Sequence, residues 1–262
     1  MRRTVIALLL LLSGVASALA QPAPIKQNLP KTAAAKPAVA KQAPPQNGNC
    51  VGVVSNLGEK FTVRKIGYTV FGNEENEVPV ESWRIDDLVG AKISGLLGKR
   101  AAVRRIPYQK EAFASIETPK LFRNPDADLG EILRTITVGT RCARYVVVTP
   151  SFVYYGTTNQ TLGGVGIVSS KAPFFTGDLY NLYMFALLRV YDGETFAVLT
   201  RKFASLGEPN LLATIKGPHR EVDKSFWPDS PDIAQNAKLR EAIRELVGQT
   251  LDATLPELTL AD

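Results

Sequence analysis

Six carboxylates fall within residues 74–87: Glu74, Glu75, Glu77, Glu81, Asp86 and Asp87. Two of them converging in a concave pocket could serve as the acid and base of a glycoside hydrolase, and a larger cluster could hold a hard cation. The plainer reading is a solvated acidic turn that keeps a sheet edge from pairing, with Asp86 and Asp87 favouring the positive end of a helix. The single histidine, His219, stands in "GPHREVDKSFWPDSP". Its neighbours Arg220, Glu221 and Asp223 predict a surface imidazole paired to a carboxylate. No G-x-S-x-G elbow supplies a nucleophile for it. With both cysteines poised for a disulfide, the single histidine leaves no zinc ligand set of the usual kind. "GLLGKR" at 95–100 lacks the spacing of a phosphate loop and puts Arg100 where Ser or Thr is required. It reads as a helix end, with Gly98 as cap and Lys99 complementing the dipole. The expectation is no catalytic residue, no metal and no cofactor. An envelope hydrolase using the carboxylates of 74–87 is the alternative.

The remaining chemistry is that of Cys50 and Cys142, and it depends on compartment. The chain opens "MRRTVIALLLLLSGVASALA", with Arg2 and Arg3 before an apolar run and a small-residue motif ending at Ala20. This is the layout of a secretory signal peptide over 1–20, and its apolar run of about 16 residues falls short of the roughly 20 that cross a bilayer. The predicted location is periplasmic or secreted. Cys50 is not a lipidation site, because it follows Asn47, Gly48 and Asn49 far behind the cleavage motif instead of a lipobox. Each cysteine stands at the head of an apolar run, "VGVVS" or "YVVVTPSFVYY". If those runs are adjacent parallel strands, a Cys50–Cys142 disulfide is geometrically reasonable, and an exported compartment permits it. The alternative is two separate buried thiols.

Residues 21–49 hold Pro, Ala, Gln and Lys with no acidic and no aromatic residue. They are predicted to be a disordered or polyproline-like linker, a spacer with at most weak contact to an anionic surface. The formal charge of +6 belongs to residues 1–49; beyond them 25 basic residues balance 25 acidic ones. A neutral globular part lacks the electrostatic footprint of a nucleic-acid binder.

Residues 50–262 are expected to form one domain. "VGVVS" and "FTVRKIGYTVF" read as strands joined by the turn "NLGEK", and "GNEENE" as a second turn. Apolar positions from Ile85 to Leu97 recur at helical spacing behind Ser82 as N-cap and stop at Gly98. "RAAVRRI" is a strand, and Asn124-Pro125 opens a second helix through Ile136. "RYVVVTPSFVYY" is too β-branched and aromatic for a helix. A glycine-rich loop from Gly156 to Gly177 leads to "LYNLYMFALLRVY" and "TFAVLTRKF", a hairpin across Asp192-Gly193. Ser230-Pro231 opens the last helix. The sum is an α/β fold: a mixed sheet of about six strands, three main helices and a long β-hairpin in the second half.

The stretch "YNLYMFALLRVYDGETFAVLTRKF" resembles the periplasmic α/β domains of the curli secretion channel and the amino-terminal domain of TolB. That resemblance implies envelope assembly or interaction and not catalysis; the strand pair at 51–71 departs from the pattern. The partner would be an envelope protein or surface, with weak membrane contact possible and no span after cleavage. Two stretches suit contact. "TLGGVGIVSSKAPFF" offers Leu162, Val165, Ile167, Phe174 and Phe175, if exposed rather than folded over the core. Trp227 precedes the last helix, where an aromatic more often staples the helix start.

Overall fold

The computed structural model describes residues 48–67, 69–98, 100–117, 124–171, 177–207, 213–228 and 232–258. The expected signal peptide and nearly all of the linker lie outside them, as do Phe174, Phe175 and Ser230-Pro231. Ten strands and four helices follow one another among the described residues. In order they are β1 (Gly48–Ser55), β2 (Lys60–Ile66), β3 (Glu74–Pro79), α1 (Ile85–Leu97), β4 (Ala102–Arg105), α2 (Glu111–Glu117) and α3 (Pro125–Ile136). Then come β5 (Cys142–Pro150), β6 (Phe152–Tyr154), β7 (Thr161–Lys171), β8 (Asp178–Asp192), β9 (Val198–Phe203), β10 (His219–Val222) and α4 (Ala237–Thr254). The α/β class with a mixed sheet is as expected, with more strands than the six anticipated.

The axis of the sheet is β8, fifteen residues without a break. Its second half pairs antiparallel with β5, from Arg144↔Asp192 to Pro150↔Ala186. Its first half pairs with β7, from Gly164↔Phe185 to Lys171↔Asp178. So β5 and β7 run end to end beside one strand, and residues 151–163 make an excursion between them. The next row repeats the device. β1 pairs parallel with β5 and β2 pairs parallel with β7, with the turn 56–59 between them. On the far side of β8, β9 and β10 likewise share one row. The outer strands β4 and β3 flank β1 and β2.

This arrangement corrects three expectations. β1 and β2 are joined by a turn but do not pair, because each finds a parallel partner further along the chain. "GNEENE" is largely strand β3, antiparallel to β2, and not a turn. The glycine-rich "loop" at 161–171 is β7, flanked by β2 and β8. Leu162, Val165 and Ile167 are therefore core side chains, each at most 1% exposed, and not a contact surface. The helix starts also shift. Ser82 lies in a 3-10 turn and α1 begins behind Arg84, whose φ of 54° is left-handed. α4 begins at Ala237, where the Asn236 side chain accepts from the Leu239 N–H at 3.0 Å. Asn124 caps α3 as expected, accepting from Asp126 and Ala127.

Each face of the sheet has its own core. On one, α1 and α4 cover Val53, Val146, Val148, Leu188 and Val190 together with the β2–β7 side. On the other, α2 and α3 bury Val54, Tyr145, Val147 and Tyr191, while a separate cluster of Leu162, Val168, Tyr183 and Phe185 packs with Ile215. The two clusters on this second face do not merge. Cys50 and Cys142 form a disulfide with Cα atoms 4.8 Å apart, tying the heads of adjacent parallel strands β1 and β5.

Candidate functional site

Where the described residues leave the second face uncovered, at the level where the rows break, the sheet holds a cleft of about 610 Å³. One wall is Phe113 and Ile116 of α2 with Pro125 and Leu129 of α3; the other is Phe152, Gly163 and Gly164. Gly163 has a clear cause: a Cβ there would sit 2.3 Å from the Phe152 ring, so only glycine lets that ring lie flat on β7. The cleft collects buried polar groups that an apolar sheet face otherwise avoids: Asn56, Thr62, Thr149, Ser151 and Arg189. The main chain of Asn56 donates to the Val148 carbonyl at 3.2 Å, while its Oδ1 is buried without a hydrogen-bond partner among the described residues. Arg189 is bound on two sides. Its Nε donates to Asp126 Oδ1 at 2.6 Å and its Nη1 to Thr149 Oγ1 at 3.0 Å. Asp126 also takes Arg201 at 3.1 Å and stands in the first turn of α3, at the positive helix end.

A second groove, of about 600 Å³, adjoins the cleft through Glu59 and contains Glu81, Asp86 and Asp87. These three carboxylates do share a concavity. The opposed shifts of Glu81 and Asp86 would suit an acid and a base; the partners of the groups point elsewhere. Lys110 binds Glu81 and holds its carboxyl below the usual range. Asp87 is clasped by Arg84 and Arg105. Burial pushes Asp86 up, although its Oδ1 accepts from Ser55 Oγ at 2.5 Å and the Gly58 N–H at 3.1 Å. Asp86 thus fastens the 56–59 turn to the start of α1. The Tyr108 hydroxyl lies 2.8 Å from both the Ser55 carbonyl and Glu59 Oε1, its ring set edge-on to Phe113. Burial raises the phenol well above its ordinary value.

Glu74, Glu75 and Glu77 are elsewhere. They stand on edge strand β3 opposite cations of β2: Lys65 at 2.8 Å, Arg64 at 2.6 Å and Lys60 at 3.3 Å. Glu74 and Glu75 guard an edge, and Glu77 lines the cleft but is paired with Lys60, so no acid–base pair of carboxylates is set up there and the hydrolase reading gains no support. His219 heads β10 with Nδ1 2.8 Å from the Gly217 carbonyl, where a carboxylate partner had been expected. Trp227 is half-buried, its ring 5.7 Å from that of Tyr180 on β8. Glu77 and Val165 apart, the cleft residues were missed in the sequence because the lining comes from eight separate elements and the turn between β1 and β2. The isolated Asn56 at the end of "VGVVSN" was the one local signal.

No protein-family model matches the sequence, and no curated protein matches it. Among solved structures the chain is similar to a neuraminyllactose-binding hemagglutinin homolog from Helicobacter pylori, at 10% identity over 84% of this chain and 92% of that one, TM-score 0.35. It is also similar to a PelC dodecamer from Paraburkholderia phytofirmans, at 11% identity over 78% and 88%, TM-score 0.26. Neither is a curli-channel or TolB domain, and scores this low transfer no ligand and no role. No helix among the described residues is long and apolar enough to cross a membrane.

Proposed function

We propose that the protein is an exported, non-enzymatic binding module of the cell envelope, and that the cleft on the α2–α3 face is where it binds. The observation that carries this reading is the cleft itself, a concavity of ligand-binding size with apolar walls and a few convergent polar groups. The carboxylates best placed for chemistry are spent on cations and on the 56–59 turn. Two features support export: the signal-like residues 1–20, and a disulfide of the kind that persists in oxidising compartments. The resemblance to curli-channel and TolB domains belongs to the same reading. Expression with an epitope tag, fractionation and intact-mass measurement test the first half. The mature chain should begin at Gln21 and carry no acyl group; a mass retaining residues 1–20 or showing a diacylglycerol adduct would sink it. Crosslinked capture from envelope extracts tests the second half. Phe152→Asp, at a cleft side chain 72% exposed, should lose what the native chain retains without lowering Tm.

A further inference from the structure

We infer that the cleft takes a small uncharged ligand with an apolar, chain-like body and a hydroxyl or amide end. This rests on the reading of the cleft as the binding site and names what it selects. Charge comes first. Three of the four charged side chains that line the cleft are in ion pairs, Arg189 with Asp126 and Lys60 with Glu77, and the fourth, Glu59, accepts from the Tyr108 hydroxyl and interacts with the Lys110 charge. An ionic ligand would have to break one of these pairs or lose its own hydration with nothing to replace it. A neutral one meets no such cost.

The walls supply the second half. Leu57, Phe113, Ile116, Leu129, Leu187 and Phe152 present hydrocarbon, while Asn56, Thr149 and Ser151 present groups that both donate and accept. A ligand matching this lining is mostly apolar and carries one or two neutral polar atoms. Length follows from topology. The lining runs across the strands from Thr62 and Glu77 to Leu187, over β3, β2, the β5–β7 row and β8. Three inter-strand steps of about 4.8 Å make roughly 14 Å, which suits an alkyl chain of about ten carbons better than a compact ring. A polypeptide strand is the wrong shape. Adding one needs an unpaired sheet edge, and β5 and β7 are paired on both sides.

The test is an equilibrium-dialysis titration of the full mature chain with tritiated nonan-1-ol, a neutral chain-like probe. One saturable site per chain is expected. Affinity should fall at least tenfold in Phe152→Asp and in Leu187→Gln, two variants checked for native Tm. Decan-1-ol should displace the probe, and decanoate and decyltrimethylammonium should need at least tenfold more. Unsaturable binding, unchanged affinity in both variants, or equal displacement by a charged analogue each overturns the inference. If the probe fails to bind while envelope capture remains sensitive to Phe152→Asp, the ligand class falls and the binding-module reading stands. If capture is indifferent to Phe152→Asp while the probe binds as stated, the reverse holds.

Discussion

Asp86 is the residue whose environment makes the sharpest claim. Burial lifts its carboxyl above the ordinary 3.8, so folding favours the protonated form. The ionised form costs stability at neutral pH, and that cost disappears as pH falls through the raised value toward 3.8. Asp86→Asn keeps an acceptor for Ser55 and Gly58 and removes the charge. Its Tm should equal or exceed that of the native chain near pH 7, with the gap closing below about pH 4 in thermal melts. A variant that is less stable at neutral pH would show that Arg105 makes the charge a net gain. The cysteines make a claim of a different kind. They close a loop across a sequence separation of 92 residues, for which chain entropy sets a ceiling of about 4 to 5 kcal/mol. Cys50→Ser and Cys142→Ser should each lose a similar amount in urea melts, and the double variant no more. Two free thiols in the denatured, unreduced protein would contradict the bond.

Among the elements, β7 shows why part of the fold was hidden from sequence reading. Glycines at 163, 164 and 166 look like a loop because strands usually avoid them. Here the glycines answer to neighbours that local sequence does not reveal. A Cβ on Gly166 would lie 2.3 Å from the Tyr183 hydroxyl and 2.5 Å from the Thr62 carbonyl, both on flanking strands. β3 was hidden for a related reason: glutamates are poor strand formers, but on an edge each meets a cation of β2. α1, α3 and α4 were legible because their apolar spacing is local, whereas the short α2 carries too few turns to show one; the β8–β9 hairpin was legible because Asp192-Gly193 is a local signal. There the Asp192 carboxylate accepts from the Glu194 and Thr195 N–H groups, which lowers its pKa. If β7 is a central strand, Ile167→Ala should cost about 2 to 5 kcal/mol and Gly166→Ala about 1 to 3. Ordinary loop positions would lose under about 0.5 kcal/mol, and chemical denaturation separates the outcomes.

At the scale of the molecule, the α/β class could be read in advance, whereas the end-to-end rows could not. They depend on pairings between residues about a hundred positions apart, such as Phe61 with Val165, and nothing in either local run specifies them. The linker makes a whole-molecule claim from composition alone. Removing residues 22–47 should leave the Tm of the remaining chain unchanged, since a stretch without aromatics or acids has little to pack with. A clear fall in Tm would show that it docks. The rows also bear on how such a protein diversifies. From Gly164 onward β7, like β5, takes its register from β1, β2 and β8, and the excursion at 151–163 that joins them pairs only with the first residues of β7, from Phe152↔Gly163 to Tyr154↔Thr161. Loop-closure entropy grows slowly with length, so insertions there are cheap. That same excursion builds the Phe152 wall of the cleft. Descendants of one ancestral gene could therefore trade short and long versions of it, changing what they recognise while inheriting the sheet intact.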